Sequence, residues 1–127
     1  MTTGTVLTLA QITPVPGPDS ALPARVCAAI NALDPVPPLV IVAEGRLALL
    51  LPAVALSQRS SHRRVSAYIL IDPELPAVTD GWPDAPVTVV TDVADGPVSR
   101  QAALRDWRMV THAQYAEQRD RGTSPPP

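Results

Sequence analysis

Carboxylates and a histidine recur at one kind of position in this chain, just after a run of apolar residues. Glu44 follows Leu39-Val40-Ile41-Val42-Ala43, and Asp72 and Glu74 follow VSAYILI (65–71). Asp92 and Asp95 follow VTVVT (87–91), and His112 follows WRMVT (107–111). Runs of this kind read as strands. A sheet that gathers their ends gathers these groups with them, along with Gln11 after the first run. Carboxylates and an imidazole at one rim are proton-transfer groups. Glu44 is the sharpest candidate, because a tight turn after an apolar strand would bury it in part, and Asp92 and His112 complete the catalytic set. Arg46 falls near a helix N-terminus, where an anion would meet a guanidinium and unpaired backbone N–H groups. Gly45, Arg46, Asp72, Trp82 and Asp95 are the candidate ligand-binding residues.

Each of these has a plainer reading. Glu44 can pair with Arg46 or sit in solvent, since structural ion pairs are common among carboxylates. Arg46 can be a surface residue and His112 an edge imidazole. Trp82 and Tyr68 are large enough to line a pocket, but packing is the default for rings of that area. His62 lies in an arginine-rich loop. Two His, one Cys and scattered acids show no metal-ligand spacing, so neither metal nor cofactor is expected. The single cysteine, Cys27, forms no intramolecular disulfide. It falls on the apolar side of a helical stretch, where a thiol behaves as a small hydrophobe.

The elements that must position these groups follow from composition and periodicity. At 127 residues, with 46% hydrophobic and 17% charged residues, the chain has the size and apolar content of one folded domain. There is no Phe, with two Trp and two Tyr, so aliphatic side chains must build the core. Every basic side chain besides His is Arg, and there are 16 Pro, a usage typical of GC-rich bacterial coding. A net charge of −2 argues against a nucleic-acid partner, which needs a basic face. The cluster Arg59, Arg63 and Arg64 reads as a solvated loop. The first residues carry neither a basic region nor a long apolar run, and 47–56 is too short to span a bilayer. A cytoplasmic protein with no membrane partner is expected.

Strands are expected at 5–9, 39–42, 65–71, 87–91 and 107–111. Helices are expected over 20–33, capped by Asp19 or Ser20, over 47–58 and over 98–105. In the first of these, Leu22, Val26, Ala29, Ile30 and Leu33 form one apolar stripe. Pro52 must either delay the start of the second helix or kink it. The alternation β-α-β-α-β-loop-β-α-β predicts a small, doubly wound, mostly parallel sheet of four to five strands, with 39–42 central and helices on both faces. The single α/β domain should cover 1–114. Residues 115–127 read as a polar, partly disordered C-terminal tail, a frayed helix followed by three prolines.

The segment LVIVAEGRLALLLP (39–52) has the strand–sharp turn–helix form on which a nucleophile elbow is built. It contains Leu50-Leu51-Pro52-Ala53, and the next strand runs into Ile71-Asp72-Pro73-Glu74-Leu75-Pro76. With WPDAPVTVVT (82–91), these pieces resemble a shortened member of the α/β-hydrolase fold superfamily of actinobacterial type. The resemblance implies a nucleophile elbow at Ala43-Glu44-Gly45-Arg46-Leu47. There Gly45 stands where the family has Ser, and both flanking glycines are gone. It also implies that Asp92, Asp95 or Asp72 marks the family's acid position and that His112 is a displaced remnant of its general base. The family's opening strands, lid and final histidine loop are missing or cut short. Without a nucleophile there is no triad, and conventional ester hydrolysis is not expected.

Three functional readings follow. The first is a non-hydrolytic protein that binds a small molecule, catalysing isomerisation, epimerisation or cyclisation in bacterial secondary metabolism. The second is a pseudoenzyme acting as a structural or protein-interaction module, and the third an inert remnant. A cavity of roughly 300 Å³ or more over Glu44, Asp72 and Asp92 would favour the first, and a flat apolar patch the second. Uncovered sheet edges at the first or last strand also predict a homodimer.

Overall fold

The computed structural model describes residues 4–12, 21–77, 79 and 81–123. Five strands, β1 (Thr5–Thr8), β2 (Leu39–Glu44), β3 (Val65–Ile71), β4 (Val87–Val90) and β5 (Arg108–Val110), form one sheet in that order. Every neighbouring pair is parallel, so the fold is a small α/β sheet as the alternation predicts. β3 is the central strand rather than β2, which is flanked on both sides one place away. The order is sequential, so the winding never reverses along the sheet.

Helix α1 (Leu9–Ile12) follows β1 at once and leads toward α2 (Leu22–Leu33). α1 takes up the end of the expected first strand and carries Gln11, which is exposed. In α2, Val26 and Ile30 are buried, while Leu33 at its end is 56% exposed. The expected caps Asp19 and Ser20 lie outside the described residues. After β2 a 3-10 turn, Gly45–Leu50, precedes α3 (Leu51–Ser60). Pro52 therefore sits in the first turn of the α-helix, where its missing N–H has no intrahelical partner to lose. α4 (Pro97–Leu104) joins β4 to β5, and α5 (His112–Thr123) follows β5.

Successive strand residues point to opposite faces. Leu7, Ile41, Tyr68 and Val87 are aligned through the parallel registers and share one face. With Leu39, Ala43, Leu70 and Val89 they pack against Val26, Ile30, Val54, Ala55 and Ala102 of α2, α3 and α4 in one aliphatic core. The opposite face carries Val6, Val40, Ile69 and Thr88, with Tyr115, Gln118 and Arg119 of α5 beside them. Val42, Val90 and Val110 on that face are buried, whereas Val6 is 65% exposed. One helix thus covers only part of the second face.

α5 crosses the expected domain boundary at residue 114. A reciprocal capping box explains why it starts early. Gln114 N donates to Thr111 Oγ1 (3.1 Å), and Thr111 N donates to Gln114 Oε1 (2.8 Å). The end of the expected tail, 124–127, lies outside the described residues. Among those described, no helix is long and apolar enough to cross a membrane.

The arginine-rich turn is a correction to the sequence reading. Arg63 is 9% exposed, not solvated. Its Nε donates to Gln58 Oε1 (2.8 Å), one Nη to Asp34 Oδ1 (3.2 Å) and the other to Asn31 Oδ1. A fork of donors met by three acceptors lets a guanidinium go inside.

Candidate functional site at the strand ends

The C-terminal ends of β3, β4 and β5 bring three of the sequence candidates together. Asp72 leaves β3 with a left-handed backbone, φ +42°, which Asp tolerates better than most residues. Its backbone N donates to Val90 O (2.9 Å), which holds the turn against β4. Its carboxylate Oδ2 lies 2.8 Å from His112 Nε2. The capping box places His112 in the first turn of α5, and its backbone N donates to Asp92 Oδ1 (2.9 Å). Two carboxylates thus hold one histidine, Asp72 by the ring and Asp92 by the main chain.

A carboxylate accepts hydrogen bonds only, so the 2.8 Å contact places the proton on His112 Nε2. In the neutral ring the lone pair is then on Nδ1. The pair is half open to solvent, with side-chain exposures of 42% for His112 and 59% for Asp72. Nδ1 is the nitrogen left for a ligand.

Two adjoining hollows lie at this rim. One, of about 210 Å³, is lined by Asp72, Pro73, Gly96, Pro97 and Val98, together with Thr91, Val93 and Ser99. The other, of about 200 Å³, shares Thr91, Val93 and Ser99 and adds Asp92, Met109 and Gln114. Thr91 Oγ1 accepts from Val93 N (3.1 Å), and Ser99 Oγ donates to Val93 O. The ridge between the hollows is therefore pinned by two hydroxyls. Neither hollow reaches 300 Å³; Asp72 lines one and Asp92 the other, and neither Glu44 nor His112 is among the lining residues of either.

The end of β2 forms a second group. Gly45 has φ +55°, the left-handed conformation a sharp turn after a strand requires. A Cβ built there meets nothing within 4 Å, so conformation and not crowding explains the glycine. Gly45 O accepts from Glu74 N (3.0 Å), tying this turn to the loop that carries Asp72. Arg46 Nε lies 3.7 Å from Glu74 Oε2, with both side chains largely exposed. Glu44 is exposed, because the strand's last residue points out past the core, so the partial burial expected of it is not found. Asp95 is exposed in the turn before α4.

Trp82 stands apart from the rim. It is fully buried, with its ring edge-on to Tyr68 (5.7 Å) and Trp107 (5.6 Å). In a chain without Phe these three rings fill space that aliphatic residues would otherwise have to fill. Cys27 is partly buried, with its Sγ 3.8 Å from Ala53 O.

The sequence reading missed Thr91, Ser99, Thr111 and Gln114. For the last two the signal was legible, since Thr-x-x-Gln before a helical stretch is a capping box. Among the described residues, no group of three His, Cys, Asp or Glu side chains is placed to hold a metal. No family model, no curated protein and no solved structure matches this chain.

Proposed function

We propose that this protein binds a compact small molecule over the ends of β3–β5, and that His112, oriented by Asp72, moves a proton on it. One observation carries the reading: two residues 40 positions apart, from different strand ends, meet as an imidazole–carboxylate pair at 2.8 Å, and the carboxylate partner, Asp72, lines one of the rim hollows. His112 Nδ1 accepts a proton from an acidic C–H or O–H of the ligand, and the imidazolium so formed is held by the Asp72 carboxylate. Returning that proton to another atom or to the other face completes an isomerisation or epimerisation, and an intramolecular bond made in between completes a cyclisation. Nothing is consumed. Gly45 in place of a nucleophile agrees with such chemistry and not with ester hydrolysis.

The wider setting is part of the same proposal: a reduced α/β-hydrolase scaffold in bacterial secondary metabolism, cytoplasmic and homodimeric through the edge of β1 or β5. The exposure of Met109 (42%) on β5 supports the assembly. The alternative is a protein-interaction module. It draws on the modest size of the rim hollows and on Val93, which is 60% exposed beside them.

The test is an NMR screen of small hydroxy and keto compounds against the labelled protein in deuterated buffer. The expected result is amide shifts at Asp72, Asp92, Val93 and His112, with deuterium entering a bound compound's acidic position. His112→Gln should abolish that exchange. Shifts without exchange reduce the protein to a binder, and shifts nowhere at the rim sink the reading.

A further inference from the structure

A further hollow lies away from the strand ends. It is a groove of about 320 Å³ between the partly covered sheet face and α5. Its floor is a stripe across four strands, Val6, Val40, Ile69 and Thr88, and its wall is Tyr115, Gln118 and Arg119. We propose that this groove is a second ligand site, for an amphipathic monocarboxylate with a short, flexible apolar body.

Three features point to that occupant. The floor presents three aliphatic side chains and one hydroxyl, which suits a hydrocarbon body. The polar groups are gathered on the helix side, as in small-molecule sites with an apolar body and a few orienting groups. The charge there is a single cation. Arg119 lies with its guanidinium 5.7 Å from the Tyr115 ring centroid. Among the described residues it takes part in no salt bridge with a carboxylate. A guanidinium drawn to a ring face keeps its N–H donors available for a carboxylate.

A second copy of the chain fits this groove less well. A stable pairing buries about 1,200 Å² or more in total, and a concave slot lined by seven residues supplies a small part of that. The groove lies on the sheet face and the Asp72–His112 pair at the strand ends, so the two sites can be separated by experiment.

The experiment uses the full chain with octanoate, octanol and octylammonium as probes, read by calorimetry and amide shifts. Octanoate should bind one to one and shift Val6, Val40, Ile69 and Tyr115, at least tenfold more tightly than octanol, with octylammonium weakest. Arg119→Gln should bring octanoate down to the octanol level. Val6→Glu changes an exposed edge residue, so it should leave the circular dichroism spectrum intact and abolish binding by charging the mouth. Asp72→Asn should leave octanoate binding unchanged. Equal affinity for octanoate and octanol, indifference to Arg119→Gln, shifts at the rim, or no binding at millimolar probe would each overturn the proposal. So would a dimer in sedimentation with the Val6 and Tyr115 amides protected, which would make a second copy the occupant.

Discussion

The two ends of the sheet hold their polar groups in opposite ways. At the N-terminal end Arg63 is buried among Gln58, Asn31 and Asp34. Nearby the buried Tyr68 hydroxyl donates to Asp84 (2.5 Å), which also pairs with Arg59 at 3.0 Å. At the C-terminal end Asp72, Asp92 and His112 make equally short contacts but lie half open to water. A buried polar network must be satisfied or it costs stability, so its members are fixed by folding. An exposed pair is worth little to stability because water competes for it. The first network has a structural reason to exist without any ligand. The second has a much weaker one, and it lies at the carboxyl ends of the parallel strands β3–β5.

The largest loss of stability is expected at the buried aromatic cluster. Trp82→Ala should destabilise by ~3–5 kcal/mol, the usual range for deleting a buried ring. Its neighbours Tyr68 and Trp107 would lose their shared contact at once. Chemical denaturation measures this. A loss under about 1 kcal/mol would mean the aromatic cluster is loosely packed, far below that range.

Arg63→Met comes next, at ~1–3 kcal/mol, because it leaves the Oε1 acceptor of the buried Gln58 without its donor. Tyr68 adds a pH signature to the same end. Burial, and then the hydrogen bond to Asp84 and its charge, push the phenol well above its usual range, against a smaller opposing pull from Arg59. A group whose folded value is raised contributes stability that is complete below its unfolded value. That contribution is lost as pH climbs past about 10, at most at about 1.4 kcal/mol per pH unit. Wild type should therefore lose more stability than Tyr68→Phe between pH 9 and pH 11 in urea unfolding. Parallel curves would show that the hydroxyl is not buried as described.

Much of the fold was legible because the strands announce themselves. β3 begins and ends where its apolar run does, and Leu39–Glu44 extends the expected strand by two residues. Periodicity speaks to burial on a face, and not to neighbours across the sheet, so the sequential strand order and the central place of β3 were beyond it. Arg63 was misread for a related reason: a charged run looks solvated until its acceptors arrive from α2, 29 and 32 residues away. At the rim, Asp72, Asp92 and His112 were legible as strand-end groups, but their mutual contacts depend on β3, β4 and β5 being neighbours. Trp82 entered the candidate set because a ring in a loop looks available. Tyr68 and Trp107, distant in sequence, close over it.

The turn at Gly45 should give an effect of intermediate size. Gly45→Ala meets no atom within 4 Å but must adopt φ +55°, a conformation costing an L-residue roughly 1–2 kcal/mol. Gly45→Asn should recover part of that, since Asn visits this region more readily. If Ala costs no more than Asn, the turn is not held left-handed in solution, and its tie to Glu74 is weaker than the 3.0 Å contact suggests.

The smallest effect on stability is expected where the largest effect on function is proposed. His112→Gln removes an imidazole that is 42% exposed while keeping the backbone N–H that Asp92 accepts. The helix start stays capped by Thr111 and Gln114, so the fold loses one half-solvated contact. Exposed substitutions of this kind stay within about 0.5 kcal/mol. Asp72→Asn behaves alike, because Asn also tolerates the left-handed backbone at φ +42°. The two variants then differ in function. Gln at 112 supplies no base, whereas Asn at 72 leaves the base but removes the charge that steadies its protonated form. Proton exchange into a bound compound should vanish in the first and weaken in the second, with binding retained in both. If instead either variant destabilises the chain by more than about 1 kcal/mol, well above the surface norm, the pair belongs with Arg63 and Tyr68 as a structural contact. The contrast between the two ends of the sheet would then be one of exposure alone.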